Sequence, residues 1–120
     1  MIYISSPYTH KDQHVIDLRI HQTENFIIWV MEKGYYPISI PIQFHKLVKE
    51  KRLPIDNLYW ENYYKNIIPK ASEVFVLMLD GWDISVGIQN EIKQATDLEI
   101  RILFFKPYNG DYIWYPSLSL

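Results

Sequence analysis

Residues Val74–Ala95 read VFVLMLDGWDISVGIQNEIKQA. The first six, Val74 to Leu79, are apolar without alternation, the pattern of a strand covered on both faces and so of a central parallel strand in an α/β sheet. The run breaks at Asp80, Gly81 and Trp82, and the spacing predicts a helix from about Ser85 to Asp97. A buried strand that leaves through a polar turn into a helix is half of a crossover unit, and the remaining chain supplies the other halves.

Upstream, Asn57 to Ile68 carries Leu58, Tyr63, Tyr64, Ile67 and Ile68 at helical spacing, and Pro69 keeps that helix from running much further. Tyr35 to Ile40 is β-prone and ends at Pro41, which predicts a second strand opening into a loop or short helix over the polar, basic segment Gln43 to Arg52. Before it, Val15, Leu18, Phe26, Trp29 and Val30 define a long helix, with Asp12 as N-cap and Gly34 as C-terminal stop. Met1 to Ile4 forms strand one and breaks at Ser5, Ser6 and Pro7. Downstream, IRILFF from Ile100 to Phe105 is a fourth strand before a turn at Pro107 to Gly110; the aromatic tail from Asp111 to Leu120 takes no assignment. The order β-α-β-α-β-α-β predicts a small doubly wound, flavodoxin- or Rossmann-like α/β fold. Its mainly parallel sheet has four to five strands and flanking helices, in one domain over residues 1–120. Ligands of such sheets bind beyond the carboxyl ends of the strands, where strand order reverses.

Composition narrows the functional classes. The 120 residues include 4 Trp, 10 Tyr and 5 Phe, enough apolar area for one core without disulfide or structural metal, and no cysteine for thiol chemistry or cysteine-ligated zinc. The net charge of −2 creates no field to gather a long nucleic acid. MIYISSPY has neither the basic nor the apolar region of a leader, and no apolar run approaches a bilayer span, so a cytoplasmic protein without membrane contact is expected.

The loops after strands one and three hold the candidate site. SSPYTH, Ser5 to His10, offers hydroxyls, backbone donors and an aromatic ring, but neither a G-x-G-x-x-G fingerprint nor a G-x-S-x-G elbow. Ser85 and Gly87 fall at a helix N-terminus, whose unpaired N–H groups favour an anionic ligand; helix capping alone also accounts for Ser85 or Asp83. At 100° per residue Ile84, Ile88 and Ala95 lie within roughly 40° of one another, and Glu91 lies in the same sector. An inward carboxylate must be paired, protonated or held for chemistry, and spacing leaves catalysis and a structural pair both open. His10, His14, His21 and His45 have no metal-ligand spacing, so no metal is predicted. Tyr59, Trp60, Tyr63 and Tyr64 form a cluster readable as core, base-stacking wall or subunit interface.

YISSPYTH at Tyr3–His10, Gly34 followed by YYPISIPIQFH, Trp60 with ENYYKNIIPKASE, and above all VLMLDGWDISVGIQNEI together resemble the nucleoside 2-deoxyribosyltransferase-like superfamily. Within it, the chain is similar to the small DUF1937 domains over nearly its whole length. The resemblance implies cleavage or transfer of the N-glycosidic bond of a (deoxy)nucleoside or nucleoside 5′-monophosphate, by a hydrolase or 2-deoxyribosyltransferase. No metal or redox cofactor takes part. Through the S-x-G-x-x-x-E pattern Glu91 is the nucleophile and Ser85 contacts the 5′ end of the nucleotide. By the same likeness Asp80 acts beside the ribose, and Tyr3, Ser6, Tyr8, Gly81, Trp82, Ser85 and Gly87 bind substrate. It also implies a homodimer or higher homo-oligomer. One departure stands out: relatives commonly carry an aspartate where Tyr64 stands, and another where Ser72 or Glu73 stands. Asp56, Glu61 or Asp80 would then have to substitute, and the alternative is a nucleotide-binding or sequestering protein without turnover.

Overall fold

The computed structural model describes residues 1–116. One sheet of five strands organises the chain: β1 (Ile2–Ser5), β2 (Pro37–Ile38), β3 (Glu73–Leu77), β4 (Arg101–Tyr108) and β5 (Asp111–Tyr115). Their spatial order is β2-β1-β3-β4-β5, with β2, β1, β3 and β4 mutually parallel and β5 antiparallel on the outer edge. This is the doubly wound arrangement expected, with its reversal of strand order between β1 and β3.

The unbroken apolar run of β3 is explained by its two faces. Phe75 and Leu77 join Ile2, Ile4, Leu103 and Phe105 beneath α1 (Gln13–Glu32), which contributes Phe26 and Val30. Val74 and Val76 join Tyr3 and Phe104 on the opposite face. There they pack with Tyr64 of α3 (Asn57–Ile67) and with Ile88 and Ala95 of α4 (Val86–Asp97). α2 (Ile40–Lys49) closes the β2 side and reaches that second cluster through Ile40 and Phe44.

Each helix begins on a side-chain cap. Asp12 accepts the His14 N–H at 2.9 Å, Ser39 the Ile42 N–H at 3.3 Å, Asp56 the Leu58 N–H at 2.9 Å and Ser85 the Ile88 N–H at 3.3 Å. Gly34, at φ +90°, follows the end of α1 as expected.

Several boundaries differ from the sequence reading. The second strand is only Pro37–Ile38, because Ser39 caps a helix that accommodates Pro41 in its first turn, where no N–H is needed. The following basic segment is therefore mostly helix α2. Pro69 sits in a 3₁₀ turn, Ile68–Lys70, that ends α3. The fourth strand passes through Pro107 to Tyr108, and the tail, which the sequence leaves open, supplies β5 over Asp111–Tyr115. Leu18 is 55% exposed; the inward face of α1 is Ile16, Thr23, Phe26 and Val30. Ile84 lies in a 3₁₀ turn before α4 and is 82% exposed, so Glu91 shares its buried face with Ile88 and Ala95 only.

Candidate functional site

A cavity of about 350 Å³ opens beyond the carboxyl ends of β1 and β3, at the point where strand order reverses. Its size is in the range of small-molecule sites. One wall comes from the end of β1 and the loop after it (Tyr3, Ile4, Ser6, Tyr8, Thr9, His10), another from Gly81 and the start of α4 (Ile84 to Ile88, Asn90, Glu91). Further lining comes from Arg19 of α1, from Ile40, Pro41, Phe44, His45 and Val48 of α2, and from Asn57, Trp60 and Tyr64 of α3.

Glu91 projects from the second turn of α4 onto this wall and is buried. Tyr3 donates its hydroxyl to Oε2, and Ser5 Oγ donates to Oε1 at 3.1 Å. No lysine or arginine pairs with it among the ion pairs of the described residues. Burial raises its pKa to about 7, against the two hydrogen bonds, which lower it. The same burial, with the Glu91 charge second, holds the Tyr3 hydroxyl well above the usual tyrosine range and pushes Tyr64 up to about 12. Glu91 is thus a buried carboxyl, hydrogen-bonded to Tyr3 and Ser5 and close to Tyr64, that ionises near neutrality.

Other polar groups are placed by the two loops. Ser6 Oγ is buried on the cavity wall and finds no hydrogen-bond partner among the described residues. Ser85 accepts from Ile88 as the cap of α4, which leaves its own hydroxyl proton for the cavity, alongside the first N–H groups of the helix. Arg19 holds the loops together: Nη1 donates to Thr9 O at 2.8 Å and Nη2 to Asp80 O at 3.0 Å. Glycine suits position 81 because its backbone is at φ +89°, where a side chain is strained; a Cβ there would also come within 2.7 Å of Arg19 Nη2, which would have to shift.

Of the residues singled out in the sequence, the cavity brings together Tyr3, Ser6, Tyr8, Gly81, Ser85, Gly87 and Glu91. Asp80 and Trp82 are not on its wall: Asp80 is exposed and offers its carbonyl to Arg19, and Trp82 packs against Phe104 with ring centroids 5.8 Å apart. The carboxylates considered as substitutes for the family aspartate are elsewhere too. Asp56 caps α3 and Glu61 pairs with Lys65 at 2.9 Å, so Glu91 is the one carboxylate on the cavity wall among the described residues. Ser72 donates to Met1 O, and Glu73 faces Arg101. The aromatic cluster divides: Tyr64 is core and cavity wall, Trp60 lines the cavity beside Phe44 at 5.5 Å, and Tyr59 remains exposed. Arg19, Phe44 and Asn90 were missed as site residues because each depends on packing between distant segments. Arg19 lies on the polar flank of α1, and only its length signals reach.

Fold and cavity define a small doubly wound α/β protein of the nucleotide-binding fold type, with a ligand-sized cavity at its topological switch point. The chain belongs to the DUF1937 family, a domain of unknown function, whose model matches residues 1–106. No curated protein matches it. No helix among the described residues is long and apolar enough to cross a membrane, and no three His, Asp or Glu side chains there gather to hold a metal.

Proposed function

We propose that the cavity binds a nucleoside or nucleoside 5′-monophosphate. The observation that carries this reading is the division of the cavity wall. Phe44, Trp60 and Tyr64 put aromatic rings on the wall for a planar base, while Ser6, Ser85, Asn90 and the N-terminus of α4 put hydrogen-bond groups there for a sugar and its 5′ substituent. The unpartnered Ser6 hydroxyl supports it, because a buried donor without a partner costs about 1–3 kcal/mol that a bound hydroxyl or phosphate oxygen recovers. Titration calorimetry with the nucleosides and their 5′-monophosphates tests the reading. Saturable binding that weakens in Trp60→Ala supports it, and no heat with any of them rejects it.

A second reading is favoured by the unpaired Glu91 carboxyl on the cavity wall: cleavage of the N-glycosidic bond. In this scheme the ionised carboxylate forms a bond to C1′ and the C1′–N bond breaks with its electron pair passing to the base. Water then adds to C1′, the Glu91–C1′ bond breaks, and the proton released from water ends on the base, with retention at C1′. A second base in place of water gives transfer. That no other carboxylate lines the wall among the described residues favours binding without turnover over this scheme. Release of free base by wild type but not by Glu91→Ala would establish cleavage; intact nucleotide after long incubation leaves the binding reading alone.

The exposed Ile55, Leu58 and Tyr59 support a homodimer or larger homo-oligomer formed through the start of α3. Light scattering at micromolar concentration reads the mass directly, and a monomer would reject it.

A further inference from the structure

Three side chains from three elements meet beside the cavity, two of them on its wall. Tyr8, from the loop after β1, places its hydroxyl 2.9 Å from His45 Nδ1 of α2, and the two rings meet edge to face with centroids 5.7 Å apart. The other ring nitrogen, His45 Nε2, faces Asp17 Oδ1 of α1 at 4.0 Å. Tyr8 and His45 both line the cavity, whereas Asp17 stands behind them.

At 4.0 Å the Asp17 carboxylate makes no hydrogen bond with Nε2, but its negative charge favours the single N–H of a neutral imidazole on that nitrogen over Nδ1. Asp17 stays ionised, because the Gln13 amide at 2.9 Å and the Lys49 ammonium at 3.5 Å hold its carboxyl below the usual range. In the neutral ring with its N–H on Nε2, Nδ1 is bare and can only accept, so the Tyr8 O–H donates to it. Burial, with the Asp17 charge second, raises the Tyr8 pKa and keeps that phenol protonated. With its one proton committed to His45, the Tyr8 oxygen turns lone pairs, and no donor, toward the cavity.

We propose that Tyr8, oriented by His45 and Asp17, is a specificity-determining acceptor that selects bases presenting an amino group over their keto counterparts. The inference rests on the nucleotide-binding reading of the same cavity. A cytosine or adenine amino group would donate to Tyr8 Oη. The oxygen that replaces it in uracil or hypoxanthine would set lone pair against lone pair and leave both acceptors without a donor.

Two matched pairs of probes test this by calorimetry at pH 8: 2′-deoxycytidine against 2′-deoxyuridine 5′-monophosphate, and 2′-deoxyadenosine against 2′-deoxyinosine 5′-monophosphate. Wild type is expected to bind the amino member of at least one pair about tenfold or more tightly. Tyr8→Phe should bring that ratio to within about twofold, and His45→Phe, which frees the Tyr8 proton to point into the cavity, should reverse it. Nitrogen-15 NMR of His45 should show the proton on Nε2. Equal binding within both pairs, a preference untouched by Tyr8→Phe, or a proton on Nδ1 would each overturn the inference while nucleotide binding stands. Failure of all four probes to bind would remove the nucleotide reading itself, and this inference with it.

Discussion

Replacing Glu91 by glutamine should flatten a pH dependence of stability that the wild type shows between about pH 4.5 and 7. Burial lifts the Glu91 pKa from the usual 4.5 to about 7 in the folded state. Within that window the native protein holds a proton that the unfolded chain has released. The stability contributed by the group is fully present below about 4.5 and is lost as pH rises through about 7. The gap of roughly 2.5 pH units, at about 1.4 kcal/mol each, sets the loss at about 3 kcal/mol. Glutamine keeps the shape of the side chain and its hydrogen-bonding capacity toward Tyr3 and Ser5, but it has no proton to lose. Urea unfolding of both proteins from pH 4 to 8 measures the difference. Glu91→Gln should gain on wild type progressively, reaching about 3 kcal/mol above pH 7. A difference constant to within about 0.5 kcal/mol across the range would refute the claim that an unpaired carboxyl is buried here.

The neighbours of Glu91 extend the same logic. Tyr3→Phe removes a hydrogen bond that lowers the Glu91 pKa, so the carboxyl carbon-13 titration of Glu91 should move to higher pH; an unmoved midpoint would show that the hydroxyl does not reach it. If Glu91 cleaves substrate as a carboxylate, the rate should rise with pH through about 7 and level off above, and a rate that falls over that range would contradict its role as nucleophile. Gly81→Ala should cost about 1–2 kcal/mol, since the position is at φ +89° beneath the Arg19 guanidinium. Part of that cost should disappear when Arg19→Ala is added, and strict additivity in this double-mutant cycle would mean that the contact contributes nothing.

How far the sequence reveals this molecule depends on the range of the interaction read. The strand over Val74–Leu77, the helix after Ser85 and the long helix between Asp12 and Gly34 follow from local patterns, since burial on two faces, a capping hydroxyl and a left-handed glycine each leave a signature within a few residues. Two elements had local signals that were outweighed. Ser39 two residues before Pro41 is a helix start, yet the β-prone run ahead of it dominates the reading; Asn109-Gly110 followed by DYIWY is a hairpin signal, yet the aromatic richness of the tail obscures its alternation. The inward direction of Glu91 was legible from helical spacing, although one of the residues that defined the face, Ile84, turned out to lie outside the helix. The partners of Glu91 were not legible: Tyr3 and Ser5 are 88 and 86 residues away, and only the register of β1 against β3 brings them to α4. The same holds for Tyr8 and His45, 37 residues apart, and for Arg19 and Asp80, 61 apart. Tyr64, singled out in the sequence as a departure from the superfamily the chain resembles, is found buried in the core and on the cavity wall.

A crystal structure of the protein soaked at pH 8 with the tightest-binding nucleoside 5′-monophosphate puts the central claim to its most direct test. The binding reading requires the base against Phe44 and Trp60, and the sugar with its 5′ group at Ser6, Ser85 and the start of α4. A ligand seated outside this cavity, or seated there with its base turned away from those rings, would contradict it.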